Sequence, residues 1–156
     1  MSSTMTDSLD LEARTAAVRA LEGEFSELLN QFRQIVAENA HRLSPGLLPG
    51  AYKVFTTIAR REQVTVSALA ESLLMDKGQL SRTVRELEQL GLVQRASDPA
   101  DGRSSLLSPT AEGLERLADA RRPYESSLVT RLADWPVEEI EHFTRLLGAL
   151  SSGTTP

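Results

Sequence analysis

The sequence predicts a mainly α-helical fold with one small β-hairpin, on three observations. Apolar residues recur at helical spacing in six separate segments. Two short β-prone runs flank a loop rich in turn residues, Asp98-Pro99-Ala100-Asp101-Gly102. Just ahead of that hairpin, two of the helical segments follow each other so closely that only a tight turn fits between them. With 156 residues, 40% of them apolar and 25% charged, the chain has ordinary globular composition, and one domain is the default.

The elements follow in order. The low-complexity ends, Ser2–Ser8 and Ser151–Pro156, are expected to be disordered tails. The first helix runs from about Asp10 to His41, because Val18, Leu21, Phe25, Leu28, Phe32 and Ile35 repeat at spacings of three and four, close to a heptad stripe. Roughly 32 helical residues span about 48 Å, longer than a small domain is wide, so part of the stripe has nothing in its own chain to cover it. A partner chain is the natural cover.

Ser44, Pro45 and Gly46 break this helix. Leu48, Tyr52, Phe55, Ile58 and Ala59 form the apolar face of a second, which ends near Arg61, and Gln63–Thr65 has the length of a very short strand. Thr65 can cap a third helix whose buried face is Val66, Leu69, Ala70, Leu73 and Leu74, closed by Met75. Asp76 caps a fourth, with Gln79 in the capping-box position, and Gly91 stands just past its end, where a left-handed residue is wanted. The runs Leu92–Ser97 and Ser104–Ser108 make the hairpin. A fifth helix, about Thr110–Asp134, carries Leu114, Leu117, Tyr124, Leu128 and Leu132. A sixth starts at Pro136, a favoured first helical position, has Glu138 and Glu139 in its first turn, and ends near Leu150.

Composition excludes several kinds of function. There is no cysteine, so disulfides, thiolate-bound metals, a Cys nucleophile and thiol redox sensing are absent. No apolar run approaches the roughly 20 residues of a membrane helix, and the start lacks the basic flank and apolar stretch of a signal peptide, so a cytoplasmic location is expected. The only histidines, His41 and His142, are far apart and belong to no ligand-spaced cluster. Ser67, Asp76 and His142 can be written as a triad, yet neither a nucleophile-elbow motif nor a Gly-rich phosphate loop accompanies them. No enzyme and no cofactor are expected. Of 17 basic residues 15 are Arg, the side chain suited to bidentate contact with phosphate, guanine and carboxylate. The net charge of −5 argues against non-specific nucleic-acid binding by the whole molecule. Charge is uneven, however: residues 47–108 hold eight basic against seven acidic groups, while the two ends together carry −6.

A helix-turn-helix followed at once by a hairpin is a winged-helix arrangement, in which the second helix of the pair fits a DNA major groove and the hairpin tip reaches alongside. At 100° per residue the core face of the fourth helix is Leu80, Val84 and Leu87, while Gly78, Arg82, Arg85 and Gln89 fall near the opposite side with Ser81 flanking. Such a face can merely solvate a helix. As a DNA-reading face it has a role for each residue: Arg82 and Arg85 for guanine, Gln79 for adenine, Ser81 and Lys77 for phosphate. Gly78, without a Cβ, would let the backbone approach a groove wall at a cost of about 1 kcal/mol in helix propensity.

Leu80-Ser81-Arg82, then Gly91-Leu92-Val93-Gln94-Arg95, then Asp98-Pro99-Ala100-Asp101-Gly102-Arg103 resemble the MarR family of bacterial winged-helix regulators, and the resemblance covers nearly the whole chain. It implies that Arg103 sits at the wing tip in a minor groove, steadied by Asp101, and that Ser81-Arg82 is the family's Ser/Thr-Arg pair in the recognition helix; Arg95 is also expected to contact DNA. Arg suits a narrow minor groove, where negative potential is concentrated. Pro109-Thr110-Ala111-Glu112-Gly113 matches the family's LT-x-x-G opening of the fifth helix, with Pro109 in place of the usual Leu, so a looser end to the second wing strand is expected. The resemblance also implies a homodimer built from the first, fifth and sixth helices, in agreement with the overlong first helix.

The expected organisation is a tail (1–8), an N-terminal dimerisation helix (9–46), a winged helix-turn-helix (47–109), C-terminal dimerisation helices (110–150) and a tail (151–156). The expected partners are a second copy and a double-stranded, pseudo-palindromic DNA operator, with repression the expected outcome. A small aromatic or anionic effector is a further expectation. Its site is unknown: His41, Tyr52, Phe55 and Tyr124 are candidates for a mixed aromatic and polar pocket, though plain core or interface packing is the better reading of each. The first helix has no Trp, which disfavours the urate-responsive subgroup, and the missing Cys excludes the peroxide-sensing one. The alternative function is a winged helix used only for protein contacts.

Overall fold

The computed structural model of the chain describes residues 2–99 and 105–155. The elements are α1 (Ser2–Leu43), α2 (Pro49–Arg61), β1 (Val64–Thr65), α3 (Val66–Leu73), α4 (Lys77–Gln89), β2 (Val93–Ser97), β3 (Ser105–Pro109), α5 (Ala111–Arg131) and α6 (Val137–Ser152). They form two compact units, Met1–Leu117 and Ala118–Pro156, divided within α5. Mainly helical, with a small antiparallel sheet, this is the winged helix-turn-helix expected. Among the described residues no helix is long and apolar enough to cross a membrane.

At each end a helix reaches into a segment expected as a tail, 1–8 and 151–156. Backbone from Ser2 onward continues α1, and α6 includes Ser151 and Ser152 before Gly153 closes it at φ 68°. Extending an existing helix adds a hydrogen bond per residue without a new nucleation step, so even Ser- and Thr-rich sequence can follow. At 42 residues α1 is about 63 Å long.

The core of the first unit is built where α2, α3, α4 and β3 meet. Val54, Phe55 and Ile58 of α2, Leu69 of α3, Leu80, Val84 and Leu87 of α4, Leu92 and Leu107 are all fully buried. The C-terminal end of α1 joins them through Ala40 and Leu43. Leu48, expected on the apolar face of α2, is instead its N-cap and stands exposed, because the break at Ser44–Gly46 starts the helix at Pro49, and Pro49 supplies the first turn.

The helix ends show why the expected boundaries hold. The Thr65 hydroxyl accepts from the Ala68 N–H at 3.2 Å, and the Asp76 carboxylate from the Gln79 N–H at 3.0 Å, each satisfying one of the free donors of a first turn. Helix α4 closes with Gly91 at φ 73°, its N–H donating to Glu88 O while the Leu92 N–H reaches Leu87 O, a Schellman ending. Helix α3 ends with the same pair of bonds, Leu74 N–H to Glu71 O and Met75 N–H to Ala70 O, but with a leucine at the left-handed position, φ 52°. That conformation takes Leu74 out of the helical period, and it is 95% exposed rather than part of the α3 face.

In the sheet β3 lies between β1 and β2, with Val64 opposite Leu107, Val93 opposite Pro109 and Ser97 opposite Ser105. Pro109 therefore does not loosen the strand. Its neighbour Thr110 donates its N–H to Leu92 O at 3.0 Å, and alternation along an antiparallel pair puts Pro109 at a position whose nitrogen faces away from β2.

In the second unit α5 continues through Pro123, and Trp135 meets Phe143 edge to face at 6.5 Å between ring centres. No residue of α6 is buried.

Candidate nucleic-acid interface

The local chemistry that builds α4 also decides what it presents. Leu80, Val84 and Leu87, at i, i+4 and i+7, sink one face into the core. The rest follows by rotation: Lys77, Gly78, Gln79, Arg82, Arg85 and Gln89 are exposed and Ser81 is half-buried. Among the described residues, none of Arg82, Arg85 and Lys77 makes an ion pair, and all three are exposed to solvent. One acidic residue, Glu86, is also exposed on this helix.

Gly78 has a local reason in addition to the close approach expected of it. A Cβ there would lie 3.0 Å from the Asp76 Oδ1 that caps the helix, so glycine leaves room for the cap. Arg95 is placed differently from the other basic residues. From β2 its Nε and Nη2 donate to the two carboxylate oxygens of Glu88 at 3.2 and 3.3 Å, a bidentate pair that braces the strand against the last turn of α4. Its expected contact with DNA would have to use the donors this pair leaves over. Asp101 and Arg103 lie outside the described residues.

The effector candidates are scattered in role. Phe55 is fully buried and Tyr52 is 5% exposed, so both are core; His41 is exposed on α1; Tyr124 is half-buried on the part of α5 that belongs to the second unit. Among the described residues no group of three His, Asp or Glu could hold a metal ion.

Two features behind the interface are not legible from residue types alone. Thr110 Oγ1 donates to Gly91 O at 2.5 Å and accepts from the Gly113 N–H at 2.9 Å, so one hydroxyl joins the end of α4 to the start of α5. Gly113 must be glycine for that junction to close, since a Cβ would lie 2.5 Å from Leu92 O. The second is Arg116, whose guanidinium donates to Leu43 O and to Leu90 O. Partners so distant in sequence leave no local signal.

Comparison with known proteins agrees with this geometry. A family model described as MarR family matches residues 46–104. The transcriptional regulator HosA of Escherichia coli O111:H- is 36% identical over 96 residues, 62% of this chain and 70% of that protein. The crystal structure of MarR superposes with a TM-score of 0.63 at 25% identity, covering 85% of this chain and 96% of the other. Streptococcus pneumoniae FabT in complex with DNA shares the fold, with a TM-score of 0.72 at 18% identity over 86% of this chain and 94% of that one.

Proposed function

This chain belongs to the MarR family of winged-helix transcriptional regulators, DNA-binding proteins rather than enzymes, and from that premise we propose that it acts as a homodimer occupying a pseudo-palindromic operator and repressing transcription. The observation that carries the proposal is the outer face of α4. Arg82 and Arg85 stand exposed and unpaired among the described residues, directly behind a fully buried face of the same helix, so the core sets the direction in which they project.

Dimerisation is supported by α1, where Leu11, Val18, Leu21, Leu28, Leu29 and Phe32 are each between 49% and 63% exposed. An apolar stripe of that length on a single chain is a surface for association. Two-fold symmetry then presents two α4 helices about 34–36 Å apart, one turn of DNA. A relative, FabT, is described in complex with DNA, which supports the same partner here. An aromatic or anionic effector would act by favouring a spacing of the two helices that does not fit DNA, and it can do so only by binding that spacing better, typically by about 1–3 kcal/mol.

The test is operator selection from a random DNA pool, followed by titration of wild type, Arg82→Ala and Lys77→Ala across salt concentrations. If each protomer contributes about four cations, the log–log salt slope is near −7. Arg82→Ala should lose about 1–3 kcal/mol and relax preference at one position, whereas Lys77→Ala should weaken all sequences alike and flatten the slope by about 1. No sequence-selective retention from the pool would reject the proposal in favour of a protein-binding module.

A further inference from the structure

Arg116 is held by backbone atoms from two other helices. Its Nε and Nη2 donate to Leu43 O at 3.2 and 2.5 Å, and its Nη1 donates to Leu90 O at 3.1 Å. Leu43 is the last residue of α1, and Leu90 is the C-cap of α4. Both carbonyls are left without intrahelical donors at a helix C-terminus, where the aligned peptide dipoles concentrate partial negative charge. The same guanidinium therefore caps the helix that carries the exposed apolar stripe and the helix that carries Arg82 and Arg85.

The side chain is two-thirds buried, so its hydrogen bonds are made largely out of water. Its carboxylate neighbour, Glu112, lies 3.7 Å away and is 70% exposed, so that pair contributes little. A guanidinium suits this position because its planar fork can address two carbonyls at once in a fixed geometry; a lysine ammonium is a single point charge.

We infer that Arg116 is a positioning residue that fixes α4 relative to α1, and so sets the separation of the two DNA-reading helices in the dimer. This rests on the operator-binding dimer proposed above. Thr110 and Gly113 anchor α5 to the end of α4 next to it, but only Arg116 among the described side chains also bonds the end of α1. Without it, α4 keeps its own cap and core face while losing a fixed relation to the dimerising helix.

The experiment uses the full chain and duplexes carrying the selected operator, with one base pair added or removed between the half-sites. The readout is the ratio of affinities for the native and altered spacings, for wild type, Arg116→Ala, Arg116→Lys and Val54→Ala. Val54 is fully buried in the core and is a partner in none of the Arg116 hydrogen bonds, so its variant serves as the control for lost stability. Measurements are made at a temperature where circular dichroism shows the variants folded. Arg116→Ala and Arg116→Lys should reduce the spacing ratio by roughly 3- to 30-fold, while Val54→Ala keeps the wild-type ratio. If Arg116→Ala does not fold at any usable temperature, Arg116→Lys decides. A discriminating wild type matched by the Arg116 variants, or a Val54→Ala ratio that falls as far as theirs, overturns the inference and leaves the operator reading intact. A wild type that binds operator with no regard to spacing overturns the dimeric reading, and the inference with it.

Discussion

Phe55 and Phe32 carry the same ring in two regions of one chain. Phe55, on α2, is fully buried; Phe32, on α1, is 53% exposed. The difference holds region by region. The winged-helix segment closes over Val54, Ile58, Leu80, Val84 and Leu87, while α1 leaves a row of leucines open and α6 buries nothing. Helical periodicity thus identifies an apolar face without saying which molecule covers it. The winged-helix segment buries its apolar faces against itself, whereas the apolar face of α1 stands exposed.

The sharpest way to break this comparison is to remove each ring in turn. Phe55→Ala should cost about 3–5 kcal/mol of folding stability, read as a denaturant midpoint that falls by the same amount at every protein concentration. Phe32→Ala should instead weaken self-association by about 2 kcal/mol or more, read by sedimentation, with the winged-helix signal in near-ultraviolet circular dichroism retained. If both variants lose stability in the same concentration-independent way, the two regions are not different in kind.

Glycines give a finer version of the same contrast. Gly113→Ala, where a Cβ would meet Leu92 O at 2.5 Å, should destabilise by about 1–3 kcal/mol, as overpacking against backbone does. Gly23→Ala, in mid-α1 with nothing within 4 Å of the new carbon, should stabilise by about 0.5–1 kcal/mol through helix propensity. Thermal melts of the two variants check the opposed signs. An effect as small as that at Gly23 is expected at Leu74, which holds a left-handed conformation that Gly91 adopts at the end of the neighbouring helix. Leu74→Gly relieves the steric cost and gives up no burial, for a gain of about 0.5–1 kcal/mol; an unchanged or lower midpoint would show that the side chain has a contact in the folded chain.

What the sequence reveals follows the range of each interaction. The caps at Thr65 and Asp76 and the left-handed Gly91 are legible because a cap is a conversation between residues three or four apart. The core face of α4 is legible for the same reason, and its outer face comes with it. Leu74 is misread because it fits the apolar period of α3 while its backbone has already left the helix. Arg95 looks like any wing arginine until β2 lies against α4 and Glu88 takes its fork. Arg116 bonds main-chain carbonyls 73 and 26 residues away, and a carbonyl carries no residue identity to be recognised. The Thr110–Gly113 spacing is visible as a family pattern, but its cause, a hydroxyl shared between two helices and a backbone approach that excludes a Cβ, is visible only in three dimensions.

The most direct measurement is sedimentation equilibrium of the full chain, wild type beside Phe32→Asp, over a wide concentration range. The expected result is twice the chain mass for the wild type and the single-chain mass for the variant, with its helical content and winged-helix core preserved. A folded wild type that stays at single-chain mass throughout would contradict the claim that α1 awaits a second copy.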